Sequence, residues 1–137
     1  MSLTTVKGSV WNANDNGQAT SVKDFGASPS ATGAVNTAAI QAAIDAANAA
    51  GGGIVRGDTL EYTIDSQGVH ETFNYGIMLK DNVTLKDIKL KASANSNMVP
   101  VTDDRSVAST GISIINIEID GNEANNATGS FNLWIQD

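Results

Sequence analysis

Two stretches of this chain carry the same interruption in an otherwise regular pattern. In NVTLKDIKLKA (Asn82 to Ala92), Val83 and Leu85 alternate with polar residues, the pattern skips a step, and it resumes as Ile88, Leu90 and Ala92. In GISIINIEIDGN (Gly111 to Asn122), Ile112 and Ile114 are followed by the same skip and then by Ile117 and Ile119. Period-two alternation marks a half-buried strand, and a step of three inside it marks a corner after which the chain runs straight again. The four matched positions share one offset: Val83 to Ile112, Leu85 to Ile114, Ile88 to Ile117 and Leu90 to Ile119. A recurrence of this kind points to stacked coils, each laying its inward side chains over those of the coil before. Tyr62/Ile64 precede Val83/Leu85, and Leu133/Ile135 follow Ile112/Ile114, by a shorter offset that is the same in both cases. The expected register is therefore 21, 29, 21. The surplus of the middle coil is assigned to an insertion loop at 93–110, which is polar and contains Pro100.

A single helical pattern precedes these strands. In NTAAIQAAIDAANAAGGGIV (Asn36 to Val55), Ile40, Ile44 and Ala47 recur at helical spacing with Ala43 beside them, and Thr37, Gln41, Asp45 and Asn48 form the opposite polar stripe. Asn36 is the expected N-cap, and Gly51 the expected left-handed residue after the last turn. A column of coils has an open end with unpaired backbone and apolar interior. One amphipathic helix just ahead of the first strand is suited to close it. Two domains follow: a leader at 1–24, and a module at 25–137 with the helix cap at 36–50 and coils over 53–137.

Apolar residues make up 41% of the chain and aromatics only 5%, so the core is aliphatic; cysteine is absent, which removes disulfides and thiolate metal sites. The opening MSLTTVKGSVW lacks the apolar stretch of a secretory signal. A net charge of −7 argues against non-specific nucleic-acid binding. Lys80, Lys86, Lys89 and Lys91 form the nearest approach to a cationic cluster, with Lys89 and Lys91 on one outward strand face, read as solvated.

The segments SVKDFGA, NTAAIQAAIDAANAAGGGIV, GIMLKDNVTLKD and IEIDGNEANN together resemble the N-terminal part of the pectate-lyase-like right-handed parallel β-helix superfamily. That superfamily includes phage tailspikes, polysaccharide depolymerases, mannuronan epimerases and pectin-degrading enzymes. The resemblance covers about residues 20–137. It implies a mostly β fold, a short right-handed single-stranded parallel β-helix of about four coils, with a capping α-helix at about 37–50. The leader TTVKGSVWNANDNG is similar to the segment that precedes this module in phage tail proteins. The chain departs from the family where SPSATGAVNT stands in place of an acidic GDGxxDDT, and where IVRGDTLEYTI stands in place of an aromatic and a PxGTY turn. The family's catalytic carboxylates lie in later coils than this chain includes.

Acid–base chemistry on a glycan needs two titratable groups about a substrate's width apart. Asp103, Asp104 and Arg105 in the expected insertion loop, and Trp134, expected to point outward from its strand, are the candidates for carbohydrate contact or a subunit interface. Glu118, Asp120 and Glu123 are read as solvated charge, and His70, the single histidine, as an exposed loop residue. No catalytic constellation, metal site or cofactor site is expected. The reading that follows is a phage virion component: a tailspike-like tail adaptor or host-contacting module without catalysis, located in the virion. Its expected partners are two further copies in a homotrimer, other tail proteins, and host surface polysaccharide. The alternative is the N-terminal fragment of a polysaccharide lyase, epimerase or depolymerase, which would be secreted or at the cell surface.

Overall fold

The computed structural model describes residues 19–104, 106–126 and 133–134, with Trp134 described by its backbone alone. The leader residues 1–18 with Trp11, Arg105, the side chain of Trp134, and Ile135 lie outside the described residues. Nine strands and one α-helix are described: β1 (Ala19–Ser21), α1 (Gly33–Ala49), β2 (Gly53–Arg56), β3 (Glu61–Ile64), β4 (Gly68–His70), β5 (Phe73–Leu79), β6 (Val83–Ala92), β7 (Met98–Asp103), β8 (Ser113–Asp120) and β9 (Leu133–Trp134). They form two sheets. One is ordered β1-β2-β6-β3 with β8 on β6, and the other β4-β5-β7-β9. Every pair is parallel except the β4–β5 hairpin.

The repeated interruption is a corner, as its spacing predicts. Leu85 pairs with Ile114, Ile88 with Ile117 and Leu90 with Ile119, the offset read from the sequence. The backbone turns at Asp87 (φ 52°) and Asn116 (φ 50°), and Asp58, one equal step earlier in the chain, has φ 57°. Asp and Asn tolerate the left-handed region better than other side chains. The corner is also tied from layer to layer, since Asn116 Nδ2 donates to Asp87 Oδ1 at 2.8 Å.

The predicted shorter steps on either side are incorrect. Tyr62 pairs with Leu90 and Ile64 with Ala92, while Gly53, and not Tyr62, pairs with Val83. Leu133 pairs with Val101 rather than with a residue of β8. The long repeat therefore holds, to within a residue, throughout the first sheet, and 93–110 is not an insertion loop. It contains β7, MVPVTD, whose six residues are all buried. A parallel strand covered on both faces reads as a continuous run rather than as alternation, so the period-two test passes over it. Pro100 suggests a break, but the ladder accommodates it: pairing skips from Tyr75–Val99 to Ile77–Val101 around the residue that has no N–H.

The core consists of Val55, Tyr62, Ile64, Ile77, Leu79, Val83, Leu85, Ile88, Leu90 and Val101, joined by Ile40 and Ile44 from the helix. Tyr62 is fully buried, and its hydroxyl donates to Gly57 O at 3.0 Å. Burial pushes this phenol above its ordinary range, with the Arg56 charge opposing. A raised folded-state value means that the contribution is intact below about pH 10 and is lost as pH rises further. An ultraviolet pH titration of the two tyrosines is expected to show one ionising only together with loss of structure, and Tyr62→Phe is expected to remove that step.

The helix caps the core, but it starts at Gly33, with Thr32 as N-cap and its side chain accepting from Val35 N. Asn36, the predicted cap, is fully buried inside the helix. Its Oδ1 accepts from Ser28 N at 2.9 Å and its Nδ2 donates to Thr63 O at 3.0 Å. The C-terminus follows expectation. Gly51 (φ 92°) sends its N–H to Asn48 O, and Gly52 N–H bonds Ala47 O at 2.9 Å, satisfying the last carbonyls. The polar stripe does not face solvent. Thr37 Oγ1 donates to Asp65 O and accepts from Asp65 N, and the Gln41 amide bonds both Met78 O (2.9 Å) and Met78 N (2.8 Å). Asn48 Nδ2 donates to Asp81 O. These side chains take the place of a missing strand along the open end of the sheets.

Candidate functional site

The outward face of the first sheet is charged and largely neutralised from within. Lys89 stands between Glu61 and Glu118, and Lys91 between Thr63 and Asp120, whose Oδ2 is 3.9 Å from Lys91 Nζ. Lys86 Nζ lies 3.7 Å from Asp87 Oδ2, and Arg56 pairs with Asp58. Opposite charges on directly facing strand positions are what a stable ladder requires. Each of these cations has a carboxylate beside it, so the face presents no concentrated field of one sign. Among the described residues, no group of three or more histidine and carboxylate side chains is placed to hold a metal ion.

A different arrangement surrounds His70. The run GVHETFNYG folds as a hairpin, with Glu71 (φ 56°) in the turn and His70 directly opposite Phe73. The imidazole meets Phe73 edge-on at 6.0 Å and Tyr75 at 6.2 Å, and its side chain is only 17% exposed. Its Nε2 lies 3.7 Å from Asp104 Oδ1 and 3.9 Å from Glu71 Oε2. Ser106 donates to Asp104 Oδ1 through Oγ (2.6 Å) and through its backbone N–H (3.0 Å). Those bonds hold the Asp104 carboxyl below the usual carboxylate range, and the charges of His70 and Lys80 act in the same direction.

Two of the predicted contact residues therefore lie at this end of the second sheet. Asp104 is part of the cluster. Asp103, predicted in a loop, is instead fully buried at the end of β7, opposite Leu79. The backbone of Trp134 pairs with Thr102, next to Asp103 in the chain. Arg105 and the Trp134 side chain fall outside the described residues. His70, expected as an exposed loop residue, is instead a half-covered strand residue against a carboxylate, and Tyr75 is a member of the cluster that the sequence reading does not single out. The available signal is GVH-ET-FNY, two β-forming runs around a two-residue turn, which is a hairpin signature.

The chemistry this geometry allows is one-sided. An imidazole is a proton carrier, an ionised carboxylate against it fixes and supports it, and the flanking rings offer apolar faces to the C–H side of a sugar. A gap of 3.7 Å leaves no room for a sugar between His70 and Asp104. They act as one arm on one side of a ligand, rather than as the opposed pair that acid–base work on a glycan uses.

A scan against protein-family models finds none that matches the chain, and a search of curated proteins finds no match. Solved structures do match. The Azotobacter vinelandii mannuronan C-5 epimerase AlgE6 A-module superposes with a TM-score of 0.73 at 29% identity, over 84% of this chain and 32% of that one. The A-module of mannuronan C-5 epimerase AlgE4 from the same organism gives 0.67 at 30% identity, over 85% of this chain and 33% of that one. The chain thus spans about a third of the length of each. These neighbours overturn the reading as a phage tail structural protein and favour its alternative. A helix-capped stack of strands serves both classes, so the segments that carry the resemblance do not distinguish them, and the tail-like leader lies outside the described residues. Over most of its length this chain is similar to part of a mannuronan C-5 epimerase A-module.

Proposed function

We propose that this chain forms the helix-capped part of a polysaccharide-modifying enzyme acting on a uronate polymer, with its strands wound as a right-handed parallel β-helix of about four coils. The supporting observation is the likeness to two epimerase modules at 29% and 30% identity over more than four fifths of the chain. The homotrimer came with the tailspike reading and is not carried forward.

C-5 epimerisation removes a proton from the carbon next to the uronate carboxylate and returns one to the opposite face. The charge that develops spreads onto the carboxylate, so positive groups or donors near it lower the barrier. Protonated His70, and Lys80 close enough to act on Asp104, would meet a uronate carboxylate, with the sugar ring against Tyr75. The His70–Asp104 arm then binds and orients the polymer, and the opposing proton-transfer group comes from elsewhere in the enzyme.

The test is binding of mannuronate oligomers followed by NMR shift changes, with a neutral oligosaccharide of equal length as control. Saturable shifts centred on His70 and Tyr75 are expected, together with a loss of about tenfold or more in affinity for His70→Ala and Tyr75→Ala, equal to ~1.4 kcal/mol. Equal binding of the neutral glycan, or variants that bind like the parent, would overturn the reading.

A further inference from the structure

The last described strand of the first sheet leaves an apolar layer uncovered. Val83, Leu85, Ile88 and Leu90 of β6 are at most 1% exposed. Their successors Ile112, Ile114, Ile117 and Ile119, on and just before β8, are only partly buried. Ile115, on the outer side of the same strand, is 51% exposed. β8 pairs with β6 on one side, and no other described strand pairs with it.

The spacing of these isoleucines is a palindrome. Positions 112, 114, 117 and 119 are symmetric about a point midway between Ile115 and Asn116, because the corner sits in the middle of the strand. In an antiparallel pair, directly opposite residues share a face. A two-fold axis through that midpoint would set Ile112 opposite Ile119 of the partner subunit and Ile114 opposite Ile117 of the partner subunit. All four inward positions then meet inward positions, and the left-handed corner at Asn116 falls on the axis, so both copies bend together. The charges agree: Ser113 stands opposite Glu118 of the partner subunit and Gly111 opposite Asp120 of the partner subunit. No carboxylate of the strand faces another, although the chain carries a net charge of −7.

We propose that the β8 end is a self-complementary interface that joins two copies of this chain end to end about a two-fold axis. Such an isologous contact needs one patch that complements itself, and the mirrored isoleucine spacing supplies it. The opposite end is closed by α1, so the contact stops at a dimer and does not extend into a filament.

Sedimentation equilibrium on the full chain is expected to show a concentration-dependent dimer. Ile115→Lys, at an exposed position that does not threaten the fold, is expected to weaken it at least tenfold. Because the chain has no cysteine, Ile115→Cys offers a direct probe: the two thiols would be diagonal neighbours across the axis, and mild oxidation is expected to give a disulfide-linked dimer. Val107→Cys, 62% exposed and away from β8, serves as the control and is expected to stay free of cross-links. A chain that sediments as a monomer up to about 1 mM, or equal cross-linking through Val107→Cys, would overturn the proposal; either result would mean that this layer is covered by something other than a second copy.

Discussion

Gln41→Ala should destabilise the protein by about 2–5 kcal/mol, although the exchange favours helix formation and removes no apolar contact of note. The side chain is 9% exposed and lies between α1 and β5. Its Nε2 donates to Met78 O at 2.9 Å, and its Oε1 accepts from Met78 N at 2.8 Å and from Gln67 Nε2 at 2.7 Å. Truncation leaves both backbone groups of Met78 buried without this partner, at about 1–3 kcal/mol each. Gln41→Glu separates hydrogen bonding from packing. It keeps the shape and the acceptor but turns the donor into a carboxylate oxygen facing Met78 O and Asp45, so it should be nearly as damaging as alanine. Thermal unfolding is the readout, with a fall of roughly 10 °C expected for each variant. A change of less than about 2 °C for both would mean that the helix does not substitute for a strand at this end.

The helix separates what a sequence discloses from what it conceals. Its existence, its apolar stripe of Ile40 and Ile44 and its glycine stop are local properties and are legible. The destination of the polar stripe is not. Thr37, Gln41 and Asn48 look like a solvent face because nothing in a helical pattern separates a side chain bonded to water from one bonded to the backbone of another element. Asn36 misleads for the same reason: a good capping residue is also a good partner for a buried carbonyl, and here Thr63 O and Ser28 N claim it. Among the strands, the long recurrence is legible because β6 and β8 both turn alternate residues outward. β7 is not, since MVPVTD is buried throughout and contains a proline that argues against a strand.

The candidate site is less legible than the fold. Asp104 draws attention as part of an acidic pair, yet its neighbour Asp103 has a different use, being fully buried. His70 is far from Asp104 in the chain, and only the pairing of β4 with β5 and of β5 with β7 brings their segments together. A contact of that kind depends on register, and the aliphatic spacing gives the wrong register for this part of the chain. That one error puts Asp103 and Asp104 in a loop and leaves His70 without a neighbour.

Gly57→Ala is expected to be the most damaging single methyl group that can be added to the described structure. A Cβ at Gly57 would run into Ile88 Cγ1 and stand 2.5 Å from Ile88 Cβ and 2.9 Å from Ile88 Cα, so backbone as well as side chain is in the way. Ile88 has no room to withdraw, being 1% exposed and stacked on Ile117. Gly57 is held as firmly. Its N–H bonds Lys86 O at 3.1 Å, and its carbonyl accepts from Leu60 N (3.1 Å) and from the buried Tyr62 hydroxyl (3.0 Å). Overpacking a site that can yield costs about 1–3 kcal/mol. Here both partners are pinned, so a loss of at least ~3 kcal/mol and a fall in Tm of roughly 10 °C or more is expected. A second substitution tests the cause. Ile88→Ala alone opens a cavity and should cost about 2–5 kcal/mol, but in the Gly57→Ala background it relieves the clash, so the double variant should be more stable than the sum of the two losses predicts. Strict additivity would show that the two residues do not meet. The corner that recurs at Asp58, Asp87 and Asn116 would then not be stacked as described, and the long repeat would lose the contact that locks its first layer to its second.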